Sequence, residues 1–473
     1  MNFGYFYKYE GNMRKVLFMI AVLAGLMLSA QQPKYVFYFI GDGMGLGHVL
    51  SAETYNRTVL GNSEHITMLQ FPVTTICTSY SASSKITDSA AAGTALSTGR
   101  KANNYSLGVT PDGNNCYSLA TELKKRGWGV AIASSVPIDD ATPAAFYAHV
   151  NNRKMFYEIG LDLAKSGYDF FSGTKLRGLK DKDGNENNLM ATIEKSGYTV
   201  VRGADAYNKA KGKKHPKMLL LSEDNGQEHN GYTIDSTATN LSLETVTAAC
   251  LEHLQRYTPK KFFMMVEGGN IDWAAHANDG GTVVKEIMNF QKSIALAYEF
   301  YKQHPDETLI VVTADHNTGG MALGVNGGPK EVDLSVFDHQ RISLELFQRY
   351  CIDMQKSGKS LTWEDMKAVL AEKLGLFGAV KVNEKHEKQL QEAFERTFVT
   401  RDAANEQTLY ATFSEFVKVV FDVQNHCAGI GWTSTGHTGD FTPVFAVGVG
   451  AEAFSGLRDN TDLPSTILRL TTR

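Results

Sequence analysis

Five short, nearly continuous apolar runs set the strongest limit on what this chain can fold into: Tyr35 to Ile40, Gly129 to Ser135, Phe262 to Val266, Leu309 to Thr313 and Pro443 to Val449. Runs of that length without polar alternation are the pattern of strands buried on both faces, which belong to parallel sheets covered by helices. Polar clusters border them: GDGMG, VPIDDATP, EGGNID and ADH follow the first four, and GHTGD precedes the fifth. Helix-like stretches such as Tyr117 to Arg126 and Val283 to Gln303 lie between. The chain therefore reads as alternating β and α, an α/β fold with a mostly parallel central sheet flanked by helices. Ligands gather at the carboxyl ends of strands in such sheets.

From about 330 to 425 the texture becomes helical, which predicts an insertion into the α/β pattern. Thr362 and Asp365 have capping-box spacing, and Trp363, Met366, Leu370 and Leu374 recur at helical period. Leu390, Phe394 and Phe398 repeat in the same way, as do Leu409, Phe413, Phe416, Val420 and Val423. At the other end, Met13-Arg14-Lys15, the apolar run Val16 to Leu28 and Leu28-Ser29-Ala30 follow a signal-peptide plan. That reading divides the chain into a leader at 1–30, with the working start at Met13, and a catalytic domain at 31–473. It predicts export to the periplasm or the extracellular space, with no membrane span left after cleavage.

Composition excludes little except a nucleic-acid partner. Lys+Arg 47 against Asp+Glu 51 leaves no basic footprint for a phosphate backbone. Five scattered cysteines, Cys77, Cys116, Cys250, Cys351 and Cys427, include no CxxC pair, and their odd number leaves at least one thiol unpaired whatever disulfides form.

The strand-end clusters carry the chemistry. Asp272 and His276 stand four apart, so on a helix they share a face and can bind one metal. Asp315 and His316 are adjacent just past a strand, His437 lies in a GHTG loop, and Asp42 lies inside GDGMG, where glycines permit close approach. Mixed nitrogen and oxygen ligands suit zinc, whereas all-oxygen sets suit magnesium. GDGMG does not meet the dinucleotide-binding register, and its central acid would repel a pyrophosphate. Each piece alone is unremarkable; their coincidence at the strand ends of one sheet is not.

Taken in order, GDGMG, TDSAAAGTALSTG, DATPAA with HVNNRK, VEGGNIDWAAHA, TADH and GHTG resemble the alkaline phosphatase family, over Tyr35 to Gly439. The resemblance implies two Zn2+ ions, one held by Asp272, His276 and His437 and the other by Asp42, Asp315 and His316. It also implies one Mg2+ held by Asp42, Thr142 and Glu267, with Asp140 orienting waters beside it. Ser89 would be the nucleophile and Arg153 the residue that grips phosphoryl oxygens. A serine hydroxyl is a poor nucleophile at its free pKa, and a dication is one of few means of activating it near neutrality. The planar fork of Arg153 matches two nonbridging oxygens of a phosphate dianion, and a diester presents fewer such oxygens than a monoester. The expected substrates are small phosphomonoesters, the product is inorganic phosphate, and the resemblance suggests a homodimer.

Trp273 departs from the enterobacterial pattern, which has lysine there. This puts in doubt any water-mediated cation near the phosphate there, and a neutral indole predicts weaker product phosphate binding. His149 and the other histidines outside the ligand set receive no role. Among rival readings, an arylsulfatase lacks its CxPxR context here, and a phosphoglycerate mutase would not be exported. A phosphodiesterase of the same superfamily typically uses threonine as nucleophile. A silent metal-binding surface protein would not need every site position occupied.

Overall fold

The apolar runs become strands whose side chains alternate between two buried layers. A computed structural model of the chain describes residues 32–181, 183–223, 231–236, 241–328, 331–358, 360–408 and 411–472; the leader reading at 1–30 lies outside them. In β1 (Tyr35–Gly41), Phe37 and Phe39 join one core cluster, while Val36, Tyr38 and Ile40 join the other on the opposite face. Every second residue must therefore be apolar on both faces, which is why the run carries no polar alternation.

Nine further strands complete one sheet: β2 (Val73–Thr78), β3 (Gly129–Ser134), β4 (Phe170–Gly173), β5 (Thr199–Arg202), β6 (Met218–Leu221), β7 (Phe262–Glu267), β8 (Thr308–Ala314), β9 (Thr442–Gly448) and β10 (Arg458–Asp459). Their spatial order is β10-β2-β9-β8-β1-β7-β3-β4-β6-β5. All neighbours are parallel except β9, which runs antiparallel to both β8 and β2. The mostly parallel α/β fold is thus as the sequence reads. The reversal of β9 explains why its polar cluster precedes rather than follows it: the start of an antiparallel strand lies at the carboxyl edge of its neighbours.

Registry sets the site. Ile40 of β1 pairs with Glu267 on one side and Thr313 on the other, and Gly41 pairs with Ala314. Asp42, Glu267 and Asp315 therefore leave the same edge at one level. Behind that edge, α1 (Ser89–Thr98) is built of small residues, and a Cβ on Gly93 would lie 3.0 Å from Ala145 Cβ and 3.3 Å from Thr142 Cα. The small-residue run is what lets the Ser89 helix lie against the Thr142 turn.

The helical block packs on one face of the sheet. Its helices α4 (Leu344–Lys356), α5 (Trp363–Leu374), α6 (Glu384–Phe394) and α7 (Glu415–Ala428) share a core cluster with Phe37, Phe39 and α3 (Gly280–Gln303). The capping box at Thr362 and Asp365 forms, and Met366, Leu370, Leu374, Leu390 and Phe394 are buried. Two details depart from the periodic reading. Glu395–Thr400, which includes Phe398, is a π-helical turn, and Asn405–Gln407 pairs with Thr412–Ser414 in a short hairpin. Phe413 is thus a strand residue buried ahead of α7, and its helical spacing to Phe416 is coincidental; Leu409 lies outside the described residues. All five cysteines are free thiols.

Glu286 on α3 is buried and accepts a hydrogen bond from Thr233 N at 2.5 Å. Burial pushes its carboxyl up to about 7, against the opposing pull of the Thr233 donors. A carboxyl raised on folding stabilises the fold below its unfolded pKa and loses that contribution as pH rises through its folded value. The melting-temperature advantage of wild type over Glu286→Gln should accordingly shrink between pH 5 and pH 8. Parallel melting curves at the two pH values would refute this.

Candidate active site

Three peptide segments deliver imidazoles to one space at the carboxyl edge. α2 (Asn270–His276) places Asp272 and His276 one turn apart, both buried. Asp315 and His316 follow β8 directly. His437 is drawn in by a two-residue antiparallel pairing, His437 with Thr318 and Thr438 with Asn317. Its ring stacks on His316 with centroids 3.6 Å apart.

Hydrogen bonding fixes the tautomer of each ring. His276 Nδ1 lies 2.6 Å from the Thr435 carbonyl and His437 Nδ1 lies 2.8 Å from the Thr87 carbonyl. A carbonyl only accepts, so both Nδ1 atoms carry the proton. His316 Nδ1 lies 3.2 Å from Thr318 Oγ1, whose own proton goes to Asp272 Oδ1, so this Nδ1 also donates. All three Nε2 lone pairs therefore face inward, a tautomer lock of the kind found around metal-bound histidines.

Those lone pairs face one another and nearby carboxyl oxygens. His276 Nε2 is 3.1 Å from His437 Nε2 and 3.4 Å from Asp272 Oδ1, and His437 Nε2 is 3.6 Å from the same oxygen. His316 Nε2 is 3.4 Å from Asp42 Oδ1 and 3.2 Å from Asp315 Oδ2. Two ligands on a tetrahedral zinc about 2.0–2.1 Å from each must stand about 3.3 Å apart, which these separations match. Asp42, Asp315 and His316 form one clustered group, as the resemblance implies. His316 also groups with Asp272 and His437, so it forms the wall between the two triads. Asp42 Oδ1, Asp272 Oδ2 and Glu267 Oε1 are buried with no hydrogen-bond partner.

The electrostatics agree. Burial, then the charges of Asp315, Asp272 and Glu267, hold the Asp42 carboxyl well above its usual range. Burial likewise pushes Glu267 up to about 8 and Asp315 up to about 6. His316 is pushed well below the ordinary imidazole value, first by burial and then by the neighbouring His437 and His276. Four carboxyl groups and three imidazoles thus crowd one buried space, an arrangement that bound cations would stabilise.

Thr142 Oγ1 lies 3.4 Å from Asp42 Oδ2 and 3.3 Å from Asp315 Oδ2, and Glu267 Oε2 accepts from Ser134 Oγ. Ser89 is the first residue of α1, behind the N-cap Asp88, whose side chain accepts from Ala91 N. Its Oγ lies 3.1 Å from His316 Nε2. Arg153 spans two carboxylates, with Nη1 3.4 Å from Asp88 Oδ2 and Nη2 3.3 Å from Asp140 Oδ1. His149 stays apart, 5.0 Å from the Tyr117 ring between centroids and near Asp162.

Sequence reasoning missed four participants. Asp88 both caps α1 and holds Arg153, and its N-cap position ahead of a small-residue helix was a usable signal. Thr318 and Ser134 hydrogen-bond to Asp272 and Glu267 through contacts with no local signature. Arg177 carried no signal at all. It pairs with Asp140 Oδ1 at 3.2 Å and lies over the Trp273 ring at 5.4 Å, so a guanidinium stands against the indole. The helical block also braces the site. Lys418 Nζ donates to the Ala277 carbonyl, Asn425 Nδ2 donates to the Asn278 carbonyl, and Asp279 accepts from Gln340 and Leu344 N, all on the turn that follows α2.

Fold and site together define a metal-dependent α/β enzyme with a serine at a helix start. The chain belongs to the alkaline phosphatase family, whose family model matches residues 33–169 and 169–472. Alkaline phosphatase 4 of Bacillus subtilis is 30% identical over 444 residues, covering 92% of this chain and 88% of that protein. Alkaline phosphatase of Schizosaccharomyces pombe is 26% identical over 450 residues, covering 92% and 80%. A cold-active alkaline phosphatase from the psychrophile Shewanella sp. superposes with a TM-score of 0.77 at 27% identity, over 93% of this chain and 100% of that one. No helix among the described residues is long and apolar enough to cross a membrane.

A cluster that needs cations should gain stability from them. Chelation is expected to lower the melting temperature and zinc to restore it, because a ligand bound only by the folded state stabilises by about 4 kcal/mol at a thousand times its Kd. In Asp272→Ala the zinc-dependent rise should shrink sharply. A rise equal to that of wild type would rule out Asp272 as a ligand.

Proposed function

We propose that the chain is an exported phosphomonoesterase that works through a phosphoserine at Ser89. The observation that carries the reading is the position of Ser89 Oγ. It opens a helix, lies 3.1 Å from His316 Nε2, and faces the same space as Asp42 and Asp315. Asp272, His276 and His437 would hold one zinc ion, and Asp42, Asp315 and His316 a second. Asp42, Thr142 and Glu267 would hold a magnesium ion, with Asp140 close by. When bound, such ions supply Lewis-acid charge that favours ionised oxygen nucleophiles and offsets charge on the leaving oxygen.

The protein's own groups do the rest. The Ser89 hydroxyl is held toward His316, and the first-turn N–H groups of α1 favour the negative charge that builds beside it. Arg153 is held between Asp88 and Asp140 and presents its fork to two nonbridging phosphoryl oxygens. Attack by Ser89 Oγ forms an O–P bond as the ester O–P bond breaks and the alcohol leaves. Water then attacks the same phosphorus, releases phosphate and returns the serine, so two in-line displacements give net retention. Export, from the 1–30 leader, and a homodimer belong to the same reading.

The test compares an aryl phosphate monoester with a matched diester at mildly alkaline pH in zinc and magnesium. Wild type should prefer the monoester, lose activity to chelator and regain it with metal, and Ser89→Ala should lower kcat by roughly a thousandfold or more. Preference for the diester would favour the phosphodiesterase reading. An inactive, metal-loaded protein would mean a binding role.

A further inference from the structure

Arg177 is anchored through both its backbone and its side chain. Its backbone N and that of Gly178 both donate to Asp139 Oδ2, at 2.6 and 2.9 Å. A Cβ on Gly178 would lie 2.3 Å from the Phe156 carbonyl oxygen, so the turn Arg177–Leu179 sits directly on that segment. The guanidinium lies over two rings, 5.3 Å from the centroid of Phe156 and 5.4 Å from that of Trp273, and its Nη1 reaches Asp140 Oδ1 at 3.2 Å. Adjacent acids thus hold the two ends of one arginine: Asp139 its backbone, Asp140 its side chain. An exposed surface arginine would show none of this.

Asp140 Oδ1 is the oxygen that Arg153 also uses, at 3.3 Å. Ion pairs at full strength close to about 2.7–2.9 Å; here one carboxylate oxygen is shared by two guanidinium groups at longer range. Arg153, Arg177, Asp88 and Asp140 balance in charge. Without Arg177, Arg153 would face two carboxylates alone, and phosphate oxygens would have to win it from both. We propose that Arg177 is a positioning residue: by holding Asp140 it loosens that carboxylate's grip on Arg153 and frees the Arg153 fork for phosphate. Phosphate affinity on the Trp273 side is then set by Arg177 through Asp140. This deepens the phosphomonoesterase reading and rests on it.

The experiment measures the inhibition constant of inorganic phosphate, together with KM and kcat for an aryl monoester, on zinc- and magnesium-saturated enzyme. The variants are Arg177→Met, which keeps an apolar stem on the two rings, Arg177→Lys, Asp140→Asn, and the Arg177→Met/Asp140→Asn pair. Arg177→Met should raise the phosphate inhibition constant and KM roughly tenfold while kcat changes about twofold or less. Arg177→Lys should recover much of the loss. In the Asp140→Asn background, Arg177→Met should change the constant by less than about threefold, since the carboxylate it answers is gone. A constant unmoved by Arg177→Met overturns the proposal, and so does a tenfold rise that persists undiminished over Asp140→Asn. A wild type that neither turns over the monoester nor binds phosphate would instead overturn the reading on which the proposal rests.

Discussion

Mutual repulsion among buried acids governs this molecule. Asp42, Glu267, Asp272 and Asp315 converge in one buried space shared with three imidazoles, and three of their oxygens have no hydrogen-bond partner. An arrangement of that kind is costly unless cations occupy it. The surrounding structure works to hold these groups in place. Registry between β1, β7 and β8 brings three of the acids to one level, the backbone N–H of Gly43 donates to Asp315 at 3.0 Å, and carbonyls of Thr87 and Thr435 lock two rings with their lone pairs inward. Holding ligands by a second layer of hydrogen bonds is what lets a metal site keep its geometry through turnover.

Around that centre the fold divides labour between rigid and adjustable parts. Parallel strands buried on both faces provide Asp42, Glu267 and Asp315, while α1 provides Ser89 from the opposite side. Gly93 permits the close approach of α1 to the Thr142 turn. The helical block contributes through the turn at Ala277 to Asp279 rather than through ligands, so its packing bears on the site at one remove. The arginine pair is the less tightly bound part: each guanidinium–carboxylate distance there lies between 3.2 and 3.4 Å.

Much of this was legible in the sequence because the signal was local. Continuous apolar runs identified the five strands to within a residue or two at either end, and the four-residue spacing of Asp272 and His276 survived as one helical turn. What escaped depended on long-range pairing. The direction of β9 follows from its neighbours, not from its own residues. Phe413 satisfies a helical period and a two-residue strand alternation equally well, and a hairpin inside the insertion decided between them. Thr318, Ser134 and Arg177 matter through contacts with segments tens to hundreds of residues away. Trp273 could be read as a missing cation only because Arg177 lies ninety-six residues upstream, beyond any local window.

The central claim is that Ser89, set among these acids and imidazoles, accepts the phosphoryl group. The most direct measurement incubates metal-loaded protein with a phosphomonoester, quenches in acid and maps covalent phosphate by peptide mass spectrometry. The account predicts phosphate on Ser89, lost when metal is withheld and absent in Ser89→Ala. Phosphate on another residue, or turnover in Ser89→Ala at the wild-type rate, would contradict it.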